Sequence, residues 1–552
     1  MDTQPDVLIV GSGPGGAAAA WRLCAKGLRV LILEAGPRFS PSDDYKQNRA
    51  DWETPFPIKD GSVGSYEVAP LQMLDDQTAD IRSWNAITGP YVTGARRASF
   101  GYHHVRGVGG SSLHFTGEAH RLNPHSMRMQ SEFGVAADWP VTYADLEPYY
   151  DLAEEIVGVA GPSNETRCPR LVPYPMVEHP WSFASHALAQ GARDIGLTPV
   201  SNSLAVLSEA RGERPACNYC GGCLRGCMMT DKGSVDVTYL AAALKTGRCE
   251  IRSDTEVLRI EEDGTRVTGV IALEKGKETR FTAPVIMVAC GAIQTPRLLL
   301  NSASKTSEAG LANESGQVGR NFMETLLTTT SALHPDKLGS HRGLPVDWVA
   351  WDYNAPDAIP NVIGGCRFGP SMAESDLVGP VAYASRVVDG WGLSHKRKMR
   401  ESFGRVLSVA AIGESLPNDG SFVTLSDKVD HTGMPIAQIH SRLDKDAIDR
   451  LRFMAQTCRE IVAAAGCDDP FEEFSSVDAF SSTHVFGTCR MGDDPSSSVV
   501  NAECVSHRWD NLMIVDASVF PSSGGGESPG LTVQALAIRA ADHVLKRAQF
   551  HD

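Results

Sequence analysis

The stretch DVLIVGSGPGGAAAAWRLCAKGLRVLILE, residues 6–34, decides the fold. It begins with an apolar run, passes through a glycine-rich turn and a run of good helix formers ended by a glycine, and finishes with a second apolar run. This pattern predicts a strand, a turn, a helix and a second strand. Gly11, Gly13 and Gly16 fill the spacing G-x-G-x-x-G inside this unit, which is typical of a dinucleotide-binding turn.

Each glycine of the motif is expected to have its own mechanical role. Gly11 allows the tight turn, Gly13 lets a pyrophosphate approach the backbone at the helix N-terminus, and Gly16 lets the helix pack closely on the strand. Glu34, at the end of the second strand, is positioned to accept hydrogen bonds from an adenosine ribose. A glycine-rich turn without a ligand is the alternative, but strand, helix and terminal acid together favour dinucleotide binding.

Length and composition indicate a globular protein of more than one domain. The 552 residues are too many for one compact core, and 42% hydrophobic with 21% charged residues is ordinary for a soluble chain. A net charge of −16 argues against a general nucleic-acid binder. The start MDTQPDV leads directly into the first strand and no apolar run is long enough for a bilayer, so we expect no signal peptide, no membrane span and a cytoplasmic location.

One local run opposes this acidic balance. It contains His395, Lys396, Arg397, Lys398 and Arg400. We expect a solvated face at this run, with docking of a partner as the alternative.

Four of the 13 cysteines are clustered, whereas the other nine are scattered and are expected to be buried and reduced. Cys217, Cys220, Cys223 and Cys227 have the spacing C-x2-C-x2-C-x3-C, by which bacterial ferredoxins bind an iron–sulfur cluster. The glycines between them permit a tightly turned loop. Zinc and a loop of bare or disulfide-bonded cysteines are the alternatives. Met228 follows the run where ferredoxins have proline, which weakens the iron–sulfur interpretation.

Several further motifs occur in a fixed order along the chain. A second glycine pair follows in VRGVGGSSLH, residues 105–114; later come WPVTYADL (139–146), IMVACGAIQTPRLLL (286–300), VGRNFM (318–323), HVFGTCRMG (484–492), NLMIVDASVFP (511–521) and SPGLTVQALAIRAAD (528–542). Together they resemble the glucose-methanol-choline (GMC) oxidoreductases, FAD-dependent enzymes that act on alcohols. Within the second of these motifs, Thr142 and Asp145 also form a capping box at the start of a predicted helix.

The resemblance implies an α/β fold with a discontinuous FAD-binding domain and a second domain for the substrate. The Rossmann-type FAD domain is expected to comprise residues 1–160, 235–328 and 485–552. The α+β substrate domain, with an antiparallel sheet, is expected to comprise residues 161–234, including the cysteine-rich loop at 217–227, and 329–484. Apolar residues at spacings of three and four predict a helix over 447–465 in this second part.

The resemblance also implies further FAD-binding residues beyond Gly11, Gly13, Gly16 and Glu34. They are Gly109, Gly110, Ser111, Val257, Ala289, Asp516 and Thr532. Asp516 is expected near the ribityl or pyrophosphate group, and the helix that contains Thr532 is expected to point its N-terminus at the flavin pyrimidine ring. His114 has the spacing at which some relatives attach the flavin covalently; a histidine that only packs on the ring is the alternative.

His484 matches the catalytic histidine of the family, the general base that takes the hydroxyl proton while hydride passes to flavin N5. The opposite position, usually His or Asn, is Ser528 here, which is a weaker partner. Either Ser528 orients the substrate beside His484, or another group such as Glu527 reaches the site.

The sequence therefore predicts FAD-dependent oxidation of an alcohol or sugar. An iron–sulfur cluster would make the chain a dehydrogenase that passes electrons to a cytochrome or a small partner subunit, and such a partner also allows periplasmic co-export as the alternative location. An oxidase that reduces oxygen is the nearest alternative function, and a non-redox hydroxynitrile lyase on the same fold is the other. The substrate is expected to be a small molecule.

Overall fold

A five-stranded parallel sheet forms around the N-terminal strand. The computed structural model describes residues 4–46, 59–91, 94–102, 104–371 and 380–549. In spatial order, the strands of this sheet are Cys249–Arg252, Val30–Leu33, Val7–Val10, Val285–Val288 and Leu512–Ile514. Each neighbouring pair is parallel, and Val7 is in register with both Val30 and Val285. The first, middle and last parts of the chain therefore meet in one sheet, as predicted.

The central strands are uninterrupted apolar runs because both faces of the sheet are covered. Val7–Val10 and Val30–Leu33 are buried at every position, which is the usual pattern in parallel sheets covered by helices. The helix Pro14–Ala25 packs against Gly530–Gln549, and Gly530–Gln549 packs against Tyr143–Val157. The predicted capping box starts the last of these helices.

Two glycines allow the first helix to lie directly on neighbouring backbone. A Cβ atom on Gly15 would lie 1.8 Å from the carbonyl oxygen of Val515, and one on Gly16 would lie 2.1 Å from that of Gly11. These distances are far below van der Waals contact, so glycine is required at both positions. Gly15 thus joins the N-terminal helix to the strand end near residue 515, a role that the sequence analysis did not assign.

An eight-stranded antiparallel sheet forms the second layer of the protein. Two long helices, Lys445–Ala464 and Phe183–Asp194, pack together, and the longer one lies on the central strands. In spatial order, the strands are Gly89–Pro90, Trp84–Asn85, Glu472–Ser475, Leu326–Leu333, Val406–Gly413, Cys366–Pro370, Trp348–Ala350 and Pro199–Ser201. The predicted helix over 447–465 is observed as Lys445–Ala464, and the side chain of Asp444 caps its N-terminus.

Smaller sheets and short helices connect these two layers. The other paired strands are Thr255–Glu262 with Val267–Glu274 and Lys277–Phe281, Phe422–Val429 with Pro435–His440 and Tyr66–Val68, Met323–Glu324 with Val485–Phe486, Ala479–Ser482 with Ala98–Tyr102, and Ala160–Gly161 with Met176–Val177. The remaining α-helices are Pro41–Asp44, Met129–Phe133, Ala241–Lys245, Gly291–Asn301, Pro380–Arg386 and Gly392–Ser402. No helix in the described ranges combines the length and apolar character needed to cross a membrane.

The fold class is as predicted: a Rossmann-type parallel sheet together with an α+β part built on an antiparallel sheet. One observation differs from the predicted segments. Trp84–Asn85 and Gly89–Pro90, which lie inside the segment 1–160 assigned to the FAD domain, extend the antiparallel sheet. They do so because Asn85 and Trp84 pair with Glu472 and Glu473. The exact domain boundaries remain a prediction.

Replacing Gly15 with alanine is expected to destabilise the protein, because the added methyl group would overlap the Val515 carbonyl. Overpacking of this kind costs about 1–3 kcal/mol and sometimes more. Gly94→Ala is the matched control, since Gly94 is exposed and the nearest atom to a Cβ there, the backbone nitrogen of Arg96, is 3.7 Å away. Thermal unfolding should show a clearly lower Tm for Gly15→Ala only; equal Tm values for the two variants would contradict the proposed packing role.

Candidate active site

A cavity lies at the carboxyl edge of the parallel sheet. Gly11, Glu34, Ala289 and Asp516 follow the ends of four neighbouring strands, and all four residues line the cavity. The carboxyl edge is where open parallel sheets bind ligands, because loops diverge there and helix N-termini point inward. The cavity continues from this edge to His484.

The glycine-rich turn leaves its backbone accessible from the cavity. The absence of any atom within 4 Å of a Cβ on Gly13 means that a ligand can approach this backbone closely. From the other side, the second glycine pair approaches: a Cβ on Gly110 would lie 2.9 Å from the Cα of Gly13. Gly110 has a φ of +56° and Gly109 of +114°, so this segment also depends on glycine. The two glycine motifs therefore form one backbone-lined groove, which suits a pyrophosphate.

Glu34 holds the groove together. Its carboxylate accepts hydrogen bonds from the backbone N–H and the hydroxyl of Ser12, at 2.9 and 2.6 Å, and from the backbone N–H groups of Gly36 and Gly107, at 3.0 and 3.1 Å. Burial raises the pKa of this carboxyl, while the hydrogen bonds from Ser12 and Gly36 oppose the rise. Because the four donors already occupy both oxygens, a ribose hydroxyl would have to share them. The ribose contact remains a prediction, although Glu34 does line the cavity.

Asp516 organises the opposite wall of the cavity. One carboxylate oxygen accepts from the backbone N–H of Gly291 at 3.0 Å and from the hydroxyl of Thr295 at 2.6 Å, and the other accepts from the backbone N–H of Ser518 at 2.8 Å. Burial raises the pKa of Asp516. The side chain thus caps the helix Gly291–Asn301 at its N-terminus and fixes the turn after the last strand.

The other predicted cofactor residues divide into two groups. Ser111 and Val257 line the cavity, like the residues described above. Gly16, Gly109 and Thr532 do not line it; Thr532 is buried and its hydroxyl lies 2.9 Å from that of Tyr150. The N-terminus of the helix Gly530–Gln549 nevertheless reaches the cavity, because Pro529, Gly530 and Val533 belong to its wall.

His114 lies outside the cavity and next to the cysteine-rich loop. Its Nδ1 is 2.9 Å from the carbonyl oxygen of Leu224, and its ring packs edge-on against Phe39 and Tyr45. Burial, followed by the positive charge of Lys232, lowers the pKa of His114 to about 3. This position gives no support to a covalent bond between His114 and a flavin.

His484 lines the same cavity, and the charges of Glu118 and Arg367 act on its imidazole. Its backbone carbonyl accepts from the Thr325 N–H at 3.0 Å and from the Ser482 hydroxyl at 2.6 Å, which fixes the main chain. Burial lowers the pKa of the imidazole to about 4, although the charge of Glu118 opposes this. The histidine is therefore neutral near pH 7 and is able to accept a proton.

A buried polar cluster that the sequence analysis did not predict adjoins this histidine. Glu118 accepts from Arg367 at 2.8 Å, from Asn202 at 3.0 Å and from the hydroxyl of Ser528 at 3.1 Å. His120 accepts from the backbone N–H of Ser528 at 3.0 Å. Burial alone would raise the pKa of Glu118, but the charge of Arg367 lowers it to about 2, so Glu118 is an ionised carboxylate.

The two candidates for the group opposite His484 have different surroundings. Ser528 is buried and does not line the cavity, and its hydroxyl donates to Glu118. Glu527 accepts at 2.9 Å from Arg167 and at 2.9 Å from Asn354. Both contacts are to Oε1 of Glu527, while its buried Oε2 has no hydrogen-bond partner among the described residues. Ser528 connects the cavity wall to Glu118.

The cavity contains two further rings that sequence reasoning missed. Tyr102 and His104 both line it, and their rings stack with centroids 5.6 Å apart. Burial, with the charge of Arg106, lowers the pKa of His104 to about 4. The only available signal was that His104 precedes the second glycine pair.

The cysteine-rich loop does not form a metal site. None of the four cysteines is in a disulfide, and within the described residues no group of three or more Cys, His, Asp or Glu side chains is arranged to hold a metal ion. The thiol of Cys227 donates to Asp231 at 2.8 Å, Cys223 packs in an apolar cluster, and Cys220 is exposed. Burial raises the pKa of Cys223 to about 12 and that of Cys227 to about 11. The predicted iron–sulfur cluster is thus unsupported: these residues do not fit it.

A buried lysine holds this loop instead. The ammonium group of Lys232 donates to the carbonyl oxygens of Leu113, Phe115 and Cys223 at 2.9, 3.0 and 2.7 Å. Lys232 therefore fastens the cysteine-rich loop to the chain that follows the second glycine pair.

Comparisons with known proteins agree with this architecture. Two family models described as GMC oxidoreductase match residues 93–326 and 417–537, and a model of an NAD(P)-binding Rossmann-like domain matches residues 9–55. The chain is similar to 2-methyl-1,2-propanediol dehydrogenase of Mycolicibacterium austroafricanum, with 29% identity over 99% of this chain and 96% of that protein. It is also similar to 6'''-hydroxyparomomycin C oxidase of Streptomyces lividus, with 30% identity over 97% and 90% of the two chains.

A solved structure supports the fold alone. The crystal structure of pyridoxine 4-oxidase from Mesorbium loti covers 98% of this chain and 99% of its own, with a TM-score of 0.63 and 19% identity. Together with the glycine-lined groove and the ordered motifs, the family matches and the 30% identical relative show that the chain belongs to the GMC oxidoreductase family, FAD-dependent oxidoreductases that act on CH–OH donors.

Proposed function

We propose that this protein oxidises the hydroxyl-bearing carbon of a small alcohol or sugar, with His484 as the general base and FAD as the bound cofactor. The observation that carries this proposal is that His484 lines the same cavity as the glycine-lined groove of Gly13 and Gly110. Alcohol oxidation needs a group that takes the hydroxyl proton, and a positioned base is worth about 10²–10⁴-fold in rate.

The residues of the cavity fit a dinucleotide of this kind. Gly13 and Gly110 would hold the pyrophosphate, Glu34 and Val257 would lie at the adenosine end, and Asp516 would lie near the ribityl chain. When bound, FAD supplies the hydride acceptor. The N-terminus of the helix Gly530–Gln549 also borders this cavity, where its partial positive charge favours negative charge.

The polar cluster next to His484 would orient the reacting group and balance charge. Ionised Glu118 favours protonated His484, and Arg367 prevents Glu118 from taking the proton itself. Ser528, which donates to Glu118, holds the cavity wall at Pro529 in position. We therefore assign Ser528 a positioning role in place of a direct contact with the substrate.

We favour a dehydrogenase over an oxidase. The similarity to 2-methyl-1,2-propanediol dehydrogenase over nearly the whole of both chains supports this, but the oxidase of Streptomyces lividus is similarly related. The cysteine-rich loop no longer contributes to the choice, because its residues do not fit a cluster. Transfer of electrons to a cytochrome or a small partner subunit therefore has no support from those cysteines. No observation favours the lyase.

An anaerobic absorbance spectrum with an iron assay tests the proposed function directly. The purified protein should show flavin bands without iron, and one member of a panel of alcohols and sugars should bleach them. Repeating the titration in air distinguishes an oxidase from a dehydrogenase, because oxygen reoxidises the flavin of an oxidase. The oxidised flavin bands then return and peroxide forms. A flavin that no hydroxyl compound reduces would contradict the proposal, and iron with broad absorbance would contradict the assignment of the loop.

Replacing His484 with alanine is expected to lower the rate of flavin reduction by about 10²–10⁴-fold, because the proton acceptor is lost. Flavin content should not change, since His484 is not part of the glycine-lined groove that would hold the pyrophosphate. His125→Ala is the matched control, because that side chain is 64% exposed and pairs only with Glu132. The rate of flavin reduction in both variants is measured by stopped-flow absorbance, with the compound of the panel that bleaches the flavin of the unaltered protein. Equal rates for His484→Ala and the unaltered protein would exclude His484 as the base.

The pH dependence of kcat/KM is expected to reflect the lowered pKa of His484. A base with a pKa of about 4 stays unprotonated as the pH falls from 7 to 5, so the acid limb should lie near pH 4 and well below 6.5. Stability is the necessary control. Between the folded pKa of about 4 and the ordinary pKa of 6.5, the unfolded chain binds more protons than the folded protein. Histidines with lowered pKa values therefore make the fold less stable as the pH falls from 6.5 to 4. His104, His114 and His120 contribute in the same direction. An acid limb at pH 6.5 without unfolding would contradict the lowered pKa of His484.

A further inference from the structure

The basic run near residue 395 lies on an exposed helix. This helix, Gly392–Ser402, contains His395, Lys396, Arg397, Lys398 and Arg400. The alternative raised by the sequence, that the run docks a partner, depends on which residues share a face of the helix.

The helix has one face toward the protein and another toward solvent. Met399 packs against a buried apolar cluster of Tyr383, Val387, Val388, Val406 and Phe471, and Ser402 on the same side is buried. Leu393, Lys396, Arg397 and Arg400 follow the spacing of three and four that places residues on one face of a helix, and all four are exposed. The outward face is therefore a basic stripe with a leucine at its start.

Large apolar side chains extend this stripe at the N-terminus of the helix. Trp391 is 87% exposed, Leu393 is 81% exposed and, on the preceding helix, Val381 is 70% exposed. Leaving tryptophan and leucine in water forfeits the free energy of burying them, and such side chains beside basic residues are typical of helices that lie at a membrane interface.

The charge of the stripe is available to a ligand. Lys398 pairs with Asp389. Within the described parts of the chain, no carboxylate pairs with Lys396, Arg397 or Arg400. Because the whole chain has a net charge of −16, an anionic surface repels most of the protein and attracts this face. Charge alone would thus orient the molecule.

The stripe is remote from the cavity. The strand Val406–Gly413 begins beside the helix, and its other end lies at the active site, where a Cβ on Gly526 would be 2.4 Å from the carbonyl oxygen of Ile412. Eight strand residues span roughly 26 Å. A surface bound at the helix leaves the cavity open, so this contact is suited to anchoring the enzyme. It is too far from the cavity to receive electrons from the active site.

We propose that Trp391, Leu393 and the basic residues Lys396, Arg397 and Arg400 form a docking site for the surface of an anionic lipid bilayer. The apolar side chains enter the boundary between headgroups and acyl chains, and the basic residues contact lipid phosphates. An acidic polypeptide would match the charges but would leave the adjacent exposed tryptophan and leucine without a role, so a bilayer is the better fit.

Vesicle co-sedimentation of the purified full-length protein tests this inference. The protein should bind vesicles of equal parts phosphatidylcholine and phosphatidylglycerol, and bind much less to phosphatidylcholine alone. The double variants Lys396→Glu with Arg397→Glu and Trp391→Ala with Leu393→Ala should each reduce binding by about tenfold or more. Flavin reduction should stay unchanged in both, because neither pair touches the cavity.

Matched variants elsewhere on the surface control for total charge and exposed apolar area. Lys275→Glu with Lys277→Glu makes the same change of charge at an exposed turn, and Leu171→Ala with Phe183→Ala removes two side chains that are each 80% exposed. Both controls should bind like the unaltered protein. Failure of the unaltered protein to bind anionic vesicles, or equal losses in the controls, would overturn the proposal. If the protein binds soluble polyglutamate, and the variant Trp391→Ala with Leu393→Ala binds it equally well, the proposal is also overturned. The stripe would then be assigned to binding an acidic polypeptide.

Discussion

The close backbone contact between the first helix and the ends of the neighbouring strands is the constraint on which the structure depends. Gly15 lies against the Val515 carbonyl, Gly11 against Ala289 and Gly110 against Gly13. These contacts bring the two glycine motifs and the carboxyl edge of the sheet within one groove. A side chain at any of these positions would separate the walls, so the cofactor site and the packing of the domain have the same physical origin.

The active site combines neutral histidines with one strong ion pair. Burial keeps His484 and His120 uncharged, whereas Glu118 stays ionised because Arg367 and Asn202 supply charge and hydrogen bonds. Ionised Glu118 thus places a negative charge near His484, the proton acceptor, while the low pKa of Glu118 prevents it from binding the proton itself. A buried pair of this kind costs desolvation energy, which fits a functional role better than a stabilising one.

The sequence was informative wherever a local pattern determines local structure. The glycine turn, the capping box at Thr142 and the helix Lys445–Ala464 follow from short-range spacing and were predicted with small errors at their ends. Glu118, Asn202 and Arg367 were missed because tertiary folding alone brings them together. The cysteine spacing misled for a related reason: it permits a cluster, but burial and the Lys232 contacts arrange the loop differently.

The order of strands in the parallel sheet has a consequence for biosynthesis. Leu512–Ile514 forms one edge of the sheet and Gly530–Gln549 packs on the first helix, yet both are translated after nearly all of the chain. The N-terminal glycine turn is therefore made long before these two elements, whereas all eight strands of the antiparallel sheet precede them in the chain. The walls of the groove are complete only after these two elements are made, and a nascent chain that stalls late would expose an unfinished apolar sheet to chaperones.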